Sequence, residues 1–160
     1  MLELVKKYFW VFFISMVPLV ELRGAVPVGV LSGLTPVWSI LLVAVLGNML
    51  PVPIILLFAK KVLLWCCTLP GGWGRFFAKI HEKGMKASNK IQEKSGKGIY
   101  WGLFVFVAIP LPGTGAWTGC LGATLLDLKF WPSVLSVLAG VVSAGLIMLL
   151  LSSLGVMAFT

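Results

Sequence analysis

Charge is what this chain has least of. Among its 160 residues 11% are Asp, Glu, Lys or Arg and 59% are hydrophobic, with a mean hydropathy of +1.05. A soluble domain of this length presents far more polar surface, and its single core could not absorb apolar runs that recur along the whole chain. The composition predicts an all-α integral membrane protein. Metal-binding side chains are scarce too: one histidine, His81, and three cysteines, Cys66, Cys67 and Cys120. Three cysteines cannot all pair, and their spacing matches neither a disulfide framework nor a metal site, so they read as small apolar residues. No cofactor or metal is expected. No phosphate-binding loop and no nucleophile–base pair is present, which argues against an enzyme. An A-x-A-like cleavage site is also missing after the apolar run from Tyr8 to Val20, where Glu21, Leu22 and Arg23 stand instead, so the N-terminus is expected to be retained.

The net charge of +8 is concentrated rather than spread. Arg75, Lys79, Lys83, Lys86, Lys90, Lys94 and Lys97 face only Glu82 and Glu93. Without a soluble binding fold this does not point to nucleic acid. Clustered lysines beside membrane segments set topology and attract anionic headgroups. Their spacing of three and four residues makes one stripe of a helix, with Phe76, Ile80, Ala87 and Ile91 as an adjacent apolar stripe. Residues 71–98 therefore read as a basic amphipathic helix on the cytoplasmic face, with Lys79, Lys83, Lys86, Lys90 and Lys94 as its lipid-headgroup surface. A merely solvated charged helix is the alternative. The expected setting is the plasma (inner) membrane of a prokaryote, crossed more than once.

The apolar sequence on either side of this loop divides into two similar halves. "FWVFFISMVPLVELRGAVPVG" is answered by "YWGLFVFVAIPLPGTGAWTG", which pairs Trp10 with Trp101, Pro18 with Pro110, Gly24-Ala25 with Gly115-Ala116 and Gly29 with Gly119. Further on, Trp38 and Gly47 answer Trp131 and Gly140. Each half opens with about 10 apolar residues, roughly 15 Å of helix and half of a ~30 Å hydrocarbon core, before a stretch dense in proline and glycine. The expectation is two inverted repeats, residues 1–70 and 99–160 of one membrane domain. Each holds a re-entrant helical hairpin (about 8–34 and about 99–126) and a spanning helix (about 37–58 and about 131–157). Kinked full-length helices, giving four spans, are the alternative. Positive charge at Lys6 and Lys7 favours that alternative, because the hairpin arrangement puts both termini outside.

Charges within lipid cost several kcal/mol unless paired or hydrated, so Glu21 and Arg23 need a reason to be in "PLVELRGAVPVG". In a bent segment both can face one polar cavity. Arg23 offers a planar fork for phosphate or carboxylate, and a carboxyl withdrawn from water can exchange a proton near neutral pH. A structural role is the competing reading: an ion pair that holds the bend, with Arg23 capping backbone carbonyls. "PLPGTGAWTG" has no charge but offers the hydroxyls of Thr114 and Thr118 and glycines that expose backbone N–H groups, the setting of an anion site at a half-helix N-terminus. The candidate substrate and proton site is Glu21, Arg23, Gly24, Pro27, Asn48, Pro110, Pro112, Gly113, Thr114, Gly115, Trp117 and Thr118. For Asn48, a bond to a neighbouring helix is the plainer use.

"ELRGAVPVG", "GNMLPVPIILLF" and "GLFVFVAIPLPGTGAWTG", in this order around a basic loop, resemble the family of small multidrug export proteins, a distant relative of the DedA/VTT membrane proteins. The resemblance covers nearly the whole chain. It implies inverted repeats whose hairpin tips meet near the midplane, and proton-dependent transport or flipping of polyprenyl phosphate or phospholipid. Glu21 would then be the proton-linked acid and Arg23 the headgroup ligand. A homo-oligomer is expected, since 17.3 kDa encloses little. Efflux of small cationic drugs, with Glu21 as counter-ion, and a non-transporting membrane scaffold are the other readings.

Overall fold

The computed structural model describes residues 2–18, 20–95, 98–111 and 113–159, with side chains except at 87–95 and 156–159. Pro112 and the side chains of Lys90 and Lys94 lie outside the described residues, as do those of Ala87 and Ile91.

The described residues form helices and no strand: α1 (Leu2–Met16), α2 (Glu21–Leu31), α3 (Val37–Met49), α4 (Pro51–Cys67), α5 (Gly72–Ser95), α6 (Gly98–Ala108), α7 (Ala116–Leu125) and α8 (Phe130–Phe159). Breaks fall where proline and glycine predict them. Pro18 follows the end of α1 and Pro110 the end of α6, since a proline ring opposes the turn before it. The junction of α3 and α4 is only a bend, because Leu50 itself has helical angles (φ −60°, ψ −45°). Pro51 and Pro53 lie in the first turn of α4, where a missing donor costs least. Val37–Cys67 is thus one rod of 31 residues, and among the described residues it and Phe130–Gly155 are the two stretches long and apolar enough to cross a membrane. The first rod outruns its expected end near Phe58, since Lys60 and Lys61 continue the helix.

The segments before each rod fold back on themselves. Tyr8, near the start of α1, hydrogen-bonds the Ser39 hydroxyl and, at 3.4 Å, the Thr35 carbonyl, both beyond the end of α2. The hydroxyl of Tyr100, near the start of α6, accepts the Lys129 N–H at 3.3 Å, beyond the end of α7. The two tyrosines of the chain thus close the mouths of the two hairpins. Both returning helices end in the same cap. Gly33 (φ 69°) and Asp127 (φ 50°) take left-handed backbone, and the next residue donates back to the helix, Leu34 to Gly29 O at 3.4 Å and Leu128 to Ala123 O at 2.9 Å. Lys7 adds a cation at the end of α2 by donating to Ser32 O at 2.8 Å, which gives it local work at the first mouth.

The mouths lie at opposite ends of the first rod. Ser39 belongs to the first mouth, whereas Lys60 pairs with Asp127 at the second. Along the helix these are about 30 Å apart at a rise of ~1.5 Å per residue. Each hairpin then crosses to the other half: α2 packs on α8 and α7 on α4. Glycine permits the closest approaches. A side chain at Gly47 would meet the Phe12 carbonyl of α1, and one at Gly140 the Phe104 carbonyl of α6. The core is small and aliphatic, built on Val11, Leu22, Ile40, Val107, Val137 and Val141. Many leucines, among them Leu31, Leu42, Leu46, Leu135 and Leu150, and six of the seven tryptophans face outward, as they do in a protein surrounded by hydrocarbon.

Candidate functional site

Where the two hairpin tips meet, the uncharged tip satisfies its own backbone only in part. α6 ends at Ala108 and α7 starts at Ala116, so the carbonyls of one helix end and the N–H groups of the next helix start lack intrahelical partners. Gly113 (φ 85°) and Gly115 (φ 152°) turn the chain between them in conformations that L side chains resist, and no side chain of the tip caps α7.

Glu21 and Arg23, from the other tip, supply what is missing. The Arg23 guanidinium donates to the carbonyls of Leu111 and Thr114, and to Ile109 O at 3.0 Å and Val107 O at 3.4 Å. The Glu21 carboxylate accepts the Trp117 N–H at 3.1 Å. Each charge therefore sits on the helix end of opposite sign, the cation at the C-terminus of α6 and the anion at the N-terminus of α7. Trp117 returns the favour by donating its indole N–H to Met16 O at 3.2 Å, at the end of α1. Thr114 Oγ1 donates within its own turn, to Ile109 O at 2.8 Å and Leu111 O at 2.9 Å.

Glu21 is 4% exposed and has φ 51°, a left-handed conformation rare outside glycine that turns its side chain toward α7. Gly115 lies so close that a Cβ there would overlap the carboxylate. The Glu21–Arg23 ion pair of the competing structural reading is not formed within 4.0 Å; the described ion pairs are Glu3–Lys6, Lys60–Asp127 and Glu82–Lys86. Arg23 caps carbonyls as the structural reading held, but those of the opposite hairpin.

A model of the family described as "Putative small multi-drug export protein" matches residues 21–147, starting on Glu21 itself. The chain belongs to this family. No curated protein and no solved structure matches it. With two rods of membrane-spanning length, this small export protein is a membrane protein.

The remaining candidates of the export protein divide clearly. Gly24 and Pro27 lie within α2; a Cβ at Gly24 would meet Val20, and Pro27 is half-buried and removes one helical donor. Pro110 shapes the tip between α6 and α7, and Thr118 donates to Gly115 O at 3.4 Å. Asn48 is fully buried in α3, and neither its amide nitrogen nor its oxygen has a hydrogen-bond partner among the described residues. No hydrogen bond joins it to the tips. Lys79, Lys83 and Lys86 are exposed along α5, with Lys86 donating to Glu82 at 2.6 Å. On α5 Ile80 of the expected apolar stripe is half-buried together with Phe77 and Gly84, whereas Phe76 is exposed. Gly84 abuts the Leu125 backbone too closely for any Cβ. Among the described residues no group of three His, Cys, Asp or Glu side chains could hold a metal. Sequence reasoning missed the tyrosine clasps and the Lys60–Asp127 pair; the signal for the clasps was present, since Tyr8 and Tyr100 open the two similar segments.

Proposed function

We propose that this protein is a proton-coupled transporter of an anionic amphiphile, such as a polyprenyl phosphate lipid carrier, built as two inverted repeats with re-entrant hairpins of the DedA type. The supporting geometry is the separation of the mouths, about 30 Å, close to the thickness of the hydrocarbon core, with the tips joined between them. The basic helix α5 lies at the second mouth, which the positive-inside rule puts in the cytoplasm of a prokaryote. Both termini then lie outside, and outward-facing leucines leave surface for a second copy of the chain.

One observation carries the reading: the N-terminus of α7 is already occupied by an anion, the Glu21 carboxylate. A protonated Glu21 no longer satisfies that helix end or balances Arg23. An incoming phosphate then inherits the N–H groups and the guanidinium. Proton uptake and anion binding are thereby coupled at one place. The family description supports a second reading, export of small drugs. A cation bound at Glu21 would face both Arg23 and the positive end of α7, so the geometry favours the anion.

The test is transport in proteoliposomes of a fluorescent phosphatidic acid and of ethidium, each with and without a pH gradient. Wild type is expected to move the phosphate-headed lipid faster with the gradient, and Glu21→Gln to lose that dependence while remaining folded. A wild type indifferent to the gradient ends proton coupling. Gradient-driven ethidium movement without lipid movement transfers the site to the drug reading.

A further inference from the structure

At the second mouth, away from the tips, a half-open cleft of about 580 Å³ lies between α4, the turn after α7 and the start of α8. Its charged lining is three lysines, Lys60, Lys61 and Lys129, and one carboxylate, Asp127, while the Thr124 hydroxyl, also in the lining, donates to Cys120 O within its own helix. Asp127 is engaged by Lys60, whereas Lys61 and Lys129 have no carboxylate partner among the described residues. Leu57 and Leu64, 53% and 45% exposed, form its apolar flank on the outer face of the rod. Lys129 also belongs to the Tyr100 clasp, so the cleft is fixed to the rim of the bundle. Trp101 and Trp131, both exposed, sit at that same level, the depth of an interfacial aromatic belt.

We propose that this cleft binds the phosphate headgroup of a membrane amphiphile, with Lys61 and Lys129 on the phosphate and the chain laid along Leu57 and Leu64. Ammonium groups held at the interface above an apolar wall match a ligand that carries its charge and its hydrocarbon in that order. A free phosphate shares the first half of this chemistry but gains nothing from the wall. The site is separate from the tips and is tested by binding alone, so its failure and the failure of the transport reading are distinguishable.

The full chain in detergent is titrated with dioleoyl phosphatidylglycerol, dioleoyl phosphatidylcholine and inorganic phosphate, and bound lipid is counted by native mass spectrometry. Phosphatidylglycerol is expected to bind best, with phosphate unable to displace it at equal concentration. Lys61→Gln with Lys129→Gln should weaken it about thirtyfold, while Lys79→Gln with Lys83→Gln, the same loss of charge on α5, should change it less than about threefold. Asp127→Asn keeps a residue suited to left-handed backbone and frees Lys60, so it should tighten binding about fivefold. That gain cannot come from misfolding. Equal losses in the two double variants, displacement by inorganic phosphate, or weaker binding by Asp127→Asn would each overturn the assignment.

Discussion

The two hairpin tips begin from similar sequence and end with opposite roles. The first, "PLVELRGAVPVG", carries both a carboxylate and a guanidinium; the second, "PLPGTGAWTG", carries neither. Side by side in the chain this is an asymmetry, but in space it is complementarity. The second tip breaks its helix with glycine and proline and leaves both ends of the break open, and the first tip fills them with Arg23 and Glu21. Charged residues in an apolar protein are explained here by the broken helix ends of a different segment. Removing either side of this exchange should cost more than changing residues that only shape the turn.

Gly115→Ala should have the largest effect, about 4 kcal/mol of stability, because φ 152° resists a Cβ and that Cβ overlaps the Glu21 carboxylate. Denaturation in mild detergent, followed by tryptophan fluorescence, checks it. Arg23→Gln comes next at about 2 kcal/mol, since it strips a donor from the part-buried carbonyls of Val107 and Thr114 while Ile109 O and Leu111 O keep donors within their own turn; a loss below ~1 kcal/mol would mean that the Val107 and Thr114 carbonyls find other partners. Trp117→Phe removes one donor to Met16 O while keeping the ring, and should cost about 1 kcal/mol in the same assay. Gly113→Asn should be nearly neutral, within ~0.5 kcal/mol, because asparagine tolerates the left-handed turn and no atom lies near a Cβ there. A penalty at Gly113 equal to that at Gly115 would break the distinction between shaping the turn and receiving the cap.

The helices and their breaks were legible in sequence because proline and glycine act locally. The ends were less so. The first rod runs on to Cys67 because lysines on a helix cost little when their charged heads reach water, which a hydropathy reading of Lys60 and Lys61 cannot anticipate. At the site, the sequence singled out Glu21 and Arg23 for their rarity. It could not say whom they serve, since their partners are backbone atoms about 90 residues away and backbone has no sequence signature. Asn48 shows the converse: it stood out as the one amide in an apolar rod, yet its side chain makes no described hydrogen bond with the tips.

Transport through the joined tips requires hairpins whose mouths open on opposite faces of the membrane. The direct test labels single cysteines with a membrane-impermeant maleimide in sealed vesicles, placing Ser32→Cys at the first mouth and Lys129→Cys at the second. The background replaces Cys66, Cys67 and Cys120 by alanine. Hairpins predict that the two positions react from opposite sides. Four full spans would put both on the same side, and that result would contradict the account.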